Sequence, residues 1–283
     1  MTVRVPASTS NLGAGFDCLG LALDIWLEAE LVPGPGPPEY SGAAAGLSAD
    51  EDFIHTQLAR GGLTSSHRLR VHSDIPMSRG LGSSSAARVA AVMLLKRASN
   101  APIDPHEVFR EAAAQEGHPD NAGPAVFGGL VLAAGRPTPL AIDPGVGVAL
   151  AVPERAVETE RARAMLPAEF ARDVVVSQAA RAAALVTGLA RGDGEAIGYG
   201  MVDQLAVPLR KQLIPGFDEA VTAGRAAGAF GVTISGSGST LLALAPVAAV
   251  GTVAAAMADA LTRNENPAMP RAPGITRAGA TIV

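Results

Sequence analysis

The chain has 283 residues, of which 48% are apolar and 17% charged, and its formal net charge is −5. Such a chain buries a real core, which excludes a disordered protein, and its acidic balance excludes the basic stripe of a nucleic-acid binder. Arginines are scattered, Lys96 and Lys211 are the only lysines, and Cys18 alone leaves no intrachain disulfide.

In chain order, residues 2–5 and 19–31 read as extended. The Pro-Gly-rich residues 33–38 form a surface loop, because the strand-rich pattern resumes beyond them. Residues 68–73 alternate, with Leu69 and Val71 on one face and Arg68, Arg70 and His72 on the other. A helix is predicted over 83–96, with Val89, Val92 and Met93 on one face. Another opens at Asp104, which suits the N-cap, with Pro105 in the first turn and Glu107 completing a capping box. Residues 128–133 return to strand, and a weaker boundary follows at Asp143-Pro144-Gly145.

Beyond it, 148–152 is a predicted strand, and 177–191 and 217–227 are predicted helices. Strands at 232–234 and 240–244 flank a glycine-rich turn, and a helix follows Pro246. Residues 240–258 are apolar enough to raise the question of a membrane span. Pro246 and Gly251 interrupt them, so they read as a buried strand and a core helix. The first residues carry no apolar signal region, so no membrane contact is expected and the cytoplasm is the expected compartment. The element order predicts an α+β protein of two lobes around a cleft, residues 1–143 and 144–283.

Chemistry concentrates first in Pro76-Met77-Ser78-Arg79-Gly80-Leu81-Gly82-Ser83-Ser84-Ser85-Ala86, between a strand and a helix. Gly80 and Gly82 permit positive φ and close approach to a ligand. The helix start offers free N–H groups and a positive dipole end, which attract phosphate. The hydroxyls of Ser83, Ser84 and Ser85 can bond phosphate oxygens or magnesium. No lysine follows the glycines, so this is not a P-loop. Taken alone, the string also describes a capped helix start.

Other segments carry polar groups at close spacing. Asn11 and Asp17 bracket a glycine-rich turn; they are turn formers, and equally partners for the ammonium and hydroxyl of an amino acid. Glu116-Gly117-His118-Pro119-Asp120-Asn121 is a helix-capping loop or a site loop. Thr159, Arg163 and Arg210 lie in later segments, where a guanidinium suits a carboxylate and a solvated helix face is the other reading, which stays strong for Arg161.

Together these strings resemble the GHMP kinase superfamily, and within it the homoserine kinases. Residues 76–86 are similar to P-x-x-x-G-L-G-S-S-A-A, with Ser85 where alanine is common. Residues 5–21 and 116–125 resemble two homoserine kinase motifs, and 159–167 is similar to T-x-x-A-R-x-x-L-P. Residues 234–240 resemble S-G-[AS]-G-P-[ST], with Ser239 in place of proline. The resemblance implies an α+β GHMP kinase fold, with a ribosomal S5 domain 2-like N-terminal lobe and a ferredoxin-like C-terminal lobe.

It also implies ATP on residues 76–86 and Mg2+ at Ser84 and Glu116. Asn11, Asp17, His118, Asn121, Thr159, Arg163 and Arg210 would surround L-homoserine. Asn121, with His118, would position the hydroxyl where relatives use an aspartate base. The implied reaction yields O-phospho-L-homoserine on the route to threonine, in a homodimer. Mevalonate- or shikimate-type kinases and a non-catalytic binding protein on the same scaffold are the alternatives. The adenine pocket should fall within residues 33–62, where the sequence assigns no contact.

Overall fold

The computed structural model describes residues 1–283. Strands β1 (Thr2–Asn11) and β2 (Gly15–Pro33) pair antiparallel, from Thr2 opposite Glu30 to Asn11 opposite Gly15. β3 (Glu39–Gly42), β4 (His67–Ser73), β5 (Leu130–Leu132) and β6 (Thr138–Leu140) extend this first sheet. β1 runs past the expected residue 5 because Ser8, Thr9 and Ser10 are fully buried, bonding across the fold in a way that their polarity conceals in sequence.

α2 (Ser83–Ala98) packs on β1 and β2, and α1 (Phe53–Arg60), α3 (Pro105–Glu116) and α4 (Ala122–Phe127) pack on α2. Asp104 caps α3 as expected, accepting from the His106 N–H at 3.0 Å. Glu107 does not close the capping box; it pairs with Lys96 at 3.3 Å.

The second sheet is antiparallel, with β10 (Ala268–Arg271), β7 (Val146–Pro153), β9 (Leu241–Pro246) and β8 (Gly231–Ile234) in that order. β7 is buried along its whole length, and its faces differ. Val146, Val148, Leu150 and Val152 join the larger core, while Ala149 and Ala151 join the smaller one. The small side chains admit α9 (Phe217–Ala226) and α10 (Val250–Arg263). β9 and α10 confirm the strand-then-helix reading of residues 240–258.

Between the sheets' segments run α5 (Thr159–Ala164), α6 (Arg172–Arg191), α7 (Gly194–Gly200) and α8 (Val207–Arg210). α6 begins at Arg172, ahead of the expected residue 177, because Val174, Val175 and Val176 imitate a strand in sequence. By length and composition α6 is the one helix able to cross a membrane; here Leu185 and Leu189 join the larger core.

The chain then returns to the first sheet. Ile275 bridges Leu23, and β11 (Thr281–Ile282) pairs with Val3 and Arg4 of β1. The β1 edge thus captures the tail of the chain through backbone pairing.

Candidate active site

A cleft of about 640 Å³ opens between the sheets. One wall is the turn from β1 to β2. Asn11, Leu12 and Asp17 there have φ of 72°, 51° and 54°, the left-handed region that non-glycine residues rarely occupy. The Asn11 amide holds the turn, accepting from the Asp17 N–H at 2.9 Å and donating to the Gly236 carbonyl at 2.8 Å. Asn11 thus positions Asp17 and has one Nδ2 hydrogen left for a ligand.

The glycine-serine loop forms the floor. Gly80 has φ 76°, and a Cβ there would lie 2.1 Å from the Ser235 carbonyl oxygen, so the two glycine-rich loops touch through backbone. Ser235 Oγ donates to the Gly80 carbonyl at 2.6 Å, so the late loop braces the first glycine loop. At Gly82, φ is 71° and a Cβ would lie 2.1 Å from Ser8 Oγ and 3.1 Å from Asn121 Oδ1. A side chain at Gly82 would displace Ser8, which hydrogen-bonds Asn121.

Met77 to Ser84 line the cleft, but Pro76, Ser85 and Ala86 do not. Ser85 and Ala86 are wholly buried because α2 turns that face to the core. Arg79 lines the cleft, but its guanidinium is already engaged. It donates to the carbonyls of Met77 and Pro153, each at 2.9 Å, and to that of Glu154, tying the loop to the end of β7.

α3 ends at Glu116 because Gly117 adopts φ 85°, leaving the carboxylate facing the cleft. Ser84 Oγ donates to Glu116 Oε2 at 3.0 Å. These are hard oxygen ligands, the type magnesium prefers, so the pair could help to hold that ion. The neighbouring loop carries His118, whose Nδ1 lies 2.8 Å from Asp120 Oδ1, and whose Nε2 lies 3.8 Å from Glu116 Oε1.

Burial alone would raise the Asp120 carboxyl. The hydrogen bond and charge of His118, with Ser10 and Arg163, overcome it and hold the group below its ordinary value. That contribution to stability is present above the unfolded carboxylate value and lost as pH falls through the lower folded one. Ionised Asp120 accepts Nδ1–H and leaves Nε2 as the free ring nitrogen. Asn121 is clamped between two serines: Ser8 Oγ donates to its Oδ1 and its Nδ2 donates to Ser10 Oγ, both at 2.9 Å.

At the far end, Arg163 donates to both carboxylate oxygens of Asp17, at 2.9 and 3.1 Å. Thr159, one turn earlier on α5, shares a 3.1 Å hydrogen bond with Ser237. Arg210 is only 3% exposed, its Nε donating to the Ala162 carbonyl at 3.1 Å. Burial lowers the Arg210 guanidinium from its ordinary value and Arg163 adds to that, against Asp17, Asp203 and Asp120. Sequence reading missed Ser10 and Arg88 in this cleft, the buried Ser8 behind Asn121, and the apolar end formed by Ala44, Leu47, Phe53, Ile54 and Val71.

The model of the GHMP kinases N terminal domain matches residues 51–129, and that of the GHMP kinases C terminal matches 185–263. A homoserine kinase of Thermus thermophilus is 42% identical over 250 residues, 85% of this chain and 85% of the relative. One from Moorella thermoacetica is 38% identical over 254 residues, 85% of this chain and 86% of the relative. The crystal structure of homoserine kinase from Cytophaga hutchinsonii superposes with a TM-score of 0.84 at 27% identity, covering 100% of this chain and 97% of that one. A mevalonate kinase from L. major, at 17% identity and TM-score 0.69 over 98% of this chain and 96% of that one, shares the fold alone. The chain belongs to the GHMP kinase family, ATP-dependent enzymes that phosphorylate a hydroxyl group, and within it to the homoserine kinases.

Proposed function

We propose that the protein transfers the γ-phosphoryl group of ATP to the hydroxyl of L-homoserine, giving O-phospho-L-homoserine on the route to threonine. One observation carries this reading. A single cleft joins a phosphate-suited glycine-serine loop to an Asp17–Arg163 pair matched to a zwitterion, with Asn121 beside Gly82.

In this reading the adenine enters the apolar end near Phe53 and Ile54, and the phosphates lie along residues 77–84. Ser84 and Glu116 hold Mg2+, which when bound neutralises phosphate charge. Asp17 takes the substrate ammonium, and Arg163 and Arg210 take its carboxylate. The zwitterion takes the place of the Asp17–Arg163 pairing, so neither charge is stranded. Asn121, fixed by Ser8 and Ser10, orients the hydroxyl. Phosphoryl transfer needs alignment and charge neutralisation more than early deprotonation, so an amide suffices there. Residues 1–143 act as the ATP-binding lobe and 144–283 as the second, less its returning tail. The reading includes a cytoplasmic homodimer, whose assembly light scattering checks.

His118 orients substrate and is not an obligatory base. His118→Gln should keep turnover within about tenfold of the wild type, because an amide still donates a hydrogen bond. A loss of about a hundredfold, together with disappearance of the acid limb of the pH–rate profile, would contradict that role. The reaction itself is tested by phosphorus NMR of ATP incubated with homoserine and enzyme. A new phosphomonoester resonance growing with ADP is expected; ATP loss to inorganic phosphate alone would overturn the reading.

A further inference from the structure

Arg88 lies on α2, one helical turn beyond Ser84, so both side chains share a face. Arginine on a helix surface ordinarily extends into water. Here the side chain folds into the cleft, 20% exposed. Nη1 donates to the Ser84 carbonyl at 3.1 Å, to Ser84 Oγ, and to Glu116 Oε2 at 2.8 Å. The guanidinium carbon lies 4.6 Å from the centre of the Phe53 ring. Nε is buried without a partner, and Nη2 makes no hydrogen bond within the chain.

One nitrogen therefore makes every hydrogen bond, and the rest of a five-donor group is uncommitted. Its present acceptors, Ser84 Oγ and Glu116, are the atoms suited to a divalent cation. The guanidinium and such a cation cannot use the same lone pairs. Once released, Arg88 remains between Phe53 of the apolar end and Ser84 of the glycine-serine loop, where a guanidinium suits phosphate oxygens.

We propose that Arg88 is a phosphate-binding residue for the nucleotide, held beside the cleft by Glu116 and Ser84 and turned onto the phosphates when ATP enters. This rests on the reading of the cleft as the ATP site. In metal-free solution Arg88 stands as the cation facing the polyphosphate.

The test is binding of ATP and of adenosine, each in EDTA, followed by calorimetry for the wild type, Arg88→Gln and Arg88→Lys. Arg88→Gln should weaken metal-free ATP by about tenfold or more, the scale of hydrogen bonds to a charged group, and leave adenosine within about twofold. Arg88→Lys should recover most of the ATP affinity. Equal losses for ATP and adenosine would show that Arg88 only supports Phe53. Unchanged ATP affinity would show that it serves Glu116 alone. Either result overturns the proposal. A wild type that binds no ATP, with or without magnesium, would overturn the reading of the cleft itself.

Discussion

Glu116→Gln is expected to lower turnover by about a hundredfold or more, because neutralising phosphate charge is central to phosphoryl transfer. The substitution keeps the shape and removes the charge. Glu116 is the last residue of α3, and Gly117, not the carboxylate, ends that helix. The fold should therefore survive. The side chain is 10% exposed and pairs with Arg88 at 2.8 Å, so the variant leaves that arginine without its anion. A thermal melt separates a local loss of charge from unfolding. Turnover near that of the wild type, in a folded variant at saturating magnesium, would remove Glu116 from the chemistry.

The second large effect is expected at Arg163. Arg163→Ala should raise the Michaelis constant for homoserine and leave ATP affinity unchanged. Truncating one member of a buried, hydrogen-bonded charge pair costs about 2–5 kcal/mol. Arg163 and Asp17 are each 34% exposed, which favours the low end, about 2 kcal/mol or roughly thirtyfold. Substitution also strips Asp17 of its ion-pair partner. Asp17→Asn combined with Arg163→Ala should therefore cost less than the two single losses added together. The check is steady-state kinetics with homoserine and with an amino alcohol lacking the carboxylate. The carboxylate-free compound should be insensitive to the substitution. Equal responses would show that Arg163 does not read that group.

Local chemistry was legible in the sequence where one segment carries it whole. The spacing of Gly80 and Gly82 before Ser83 announced a turn into a helix with exposed N–H groups, and the structure shows both glycines at positive φ. Asp104 and Pro105 marked the start of α3. The rest depends on contacts between distant residues. Ser8 and Ser10 look like an ordinary polar run, yet they hold Asn121, 113 and 111 residues away. Arg79 sits inside the phosphate string, and its engagement with the β7 end, 74 and 75 residues on, cannot be read from the string. Arg88 has the spacing of a routine helix-surface arginine until α3 brings Glu116 beside it. The apolar end of the cleft draws on residues from 44 to 71, each unremarkable alone. The return of β11 to β1 is encoded in two residues, too few for any periodicity.

In the proposed reading, Asp17, Arg163 and Arg210 make this cleft a site for a zwitterionic hydroxy amino acid. The most direct measurement is kcat/KM for homoserine beside that for mevalonate, read by coupled ADP release at saturating MgATP. Mevalonate offers a hydroxyl and a carboxylate but no ammonium, so it would leave the Asp17 carboxylate unpaired. Homoserine should be favoured by about a hundredfold or more, the discrimination expected when a polar site loses a charged partner. Equal or greater kcat/KM with mevalonate would contradict the account.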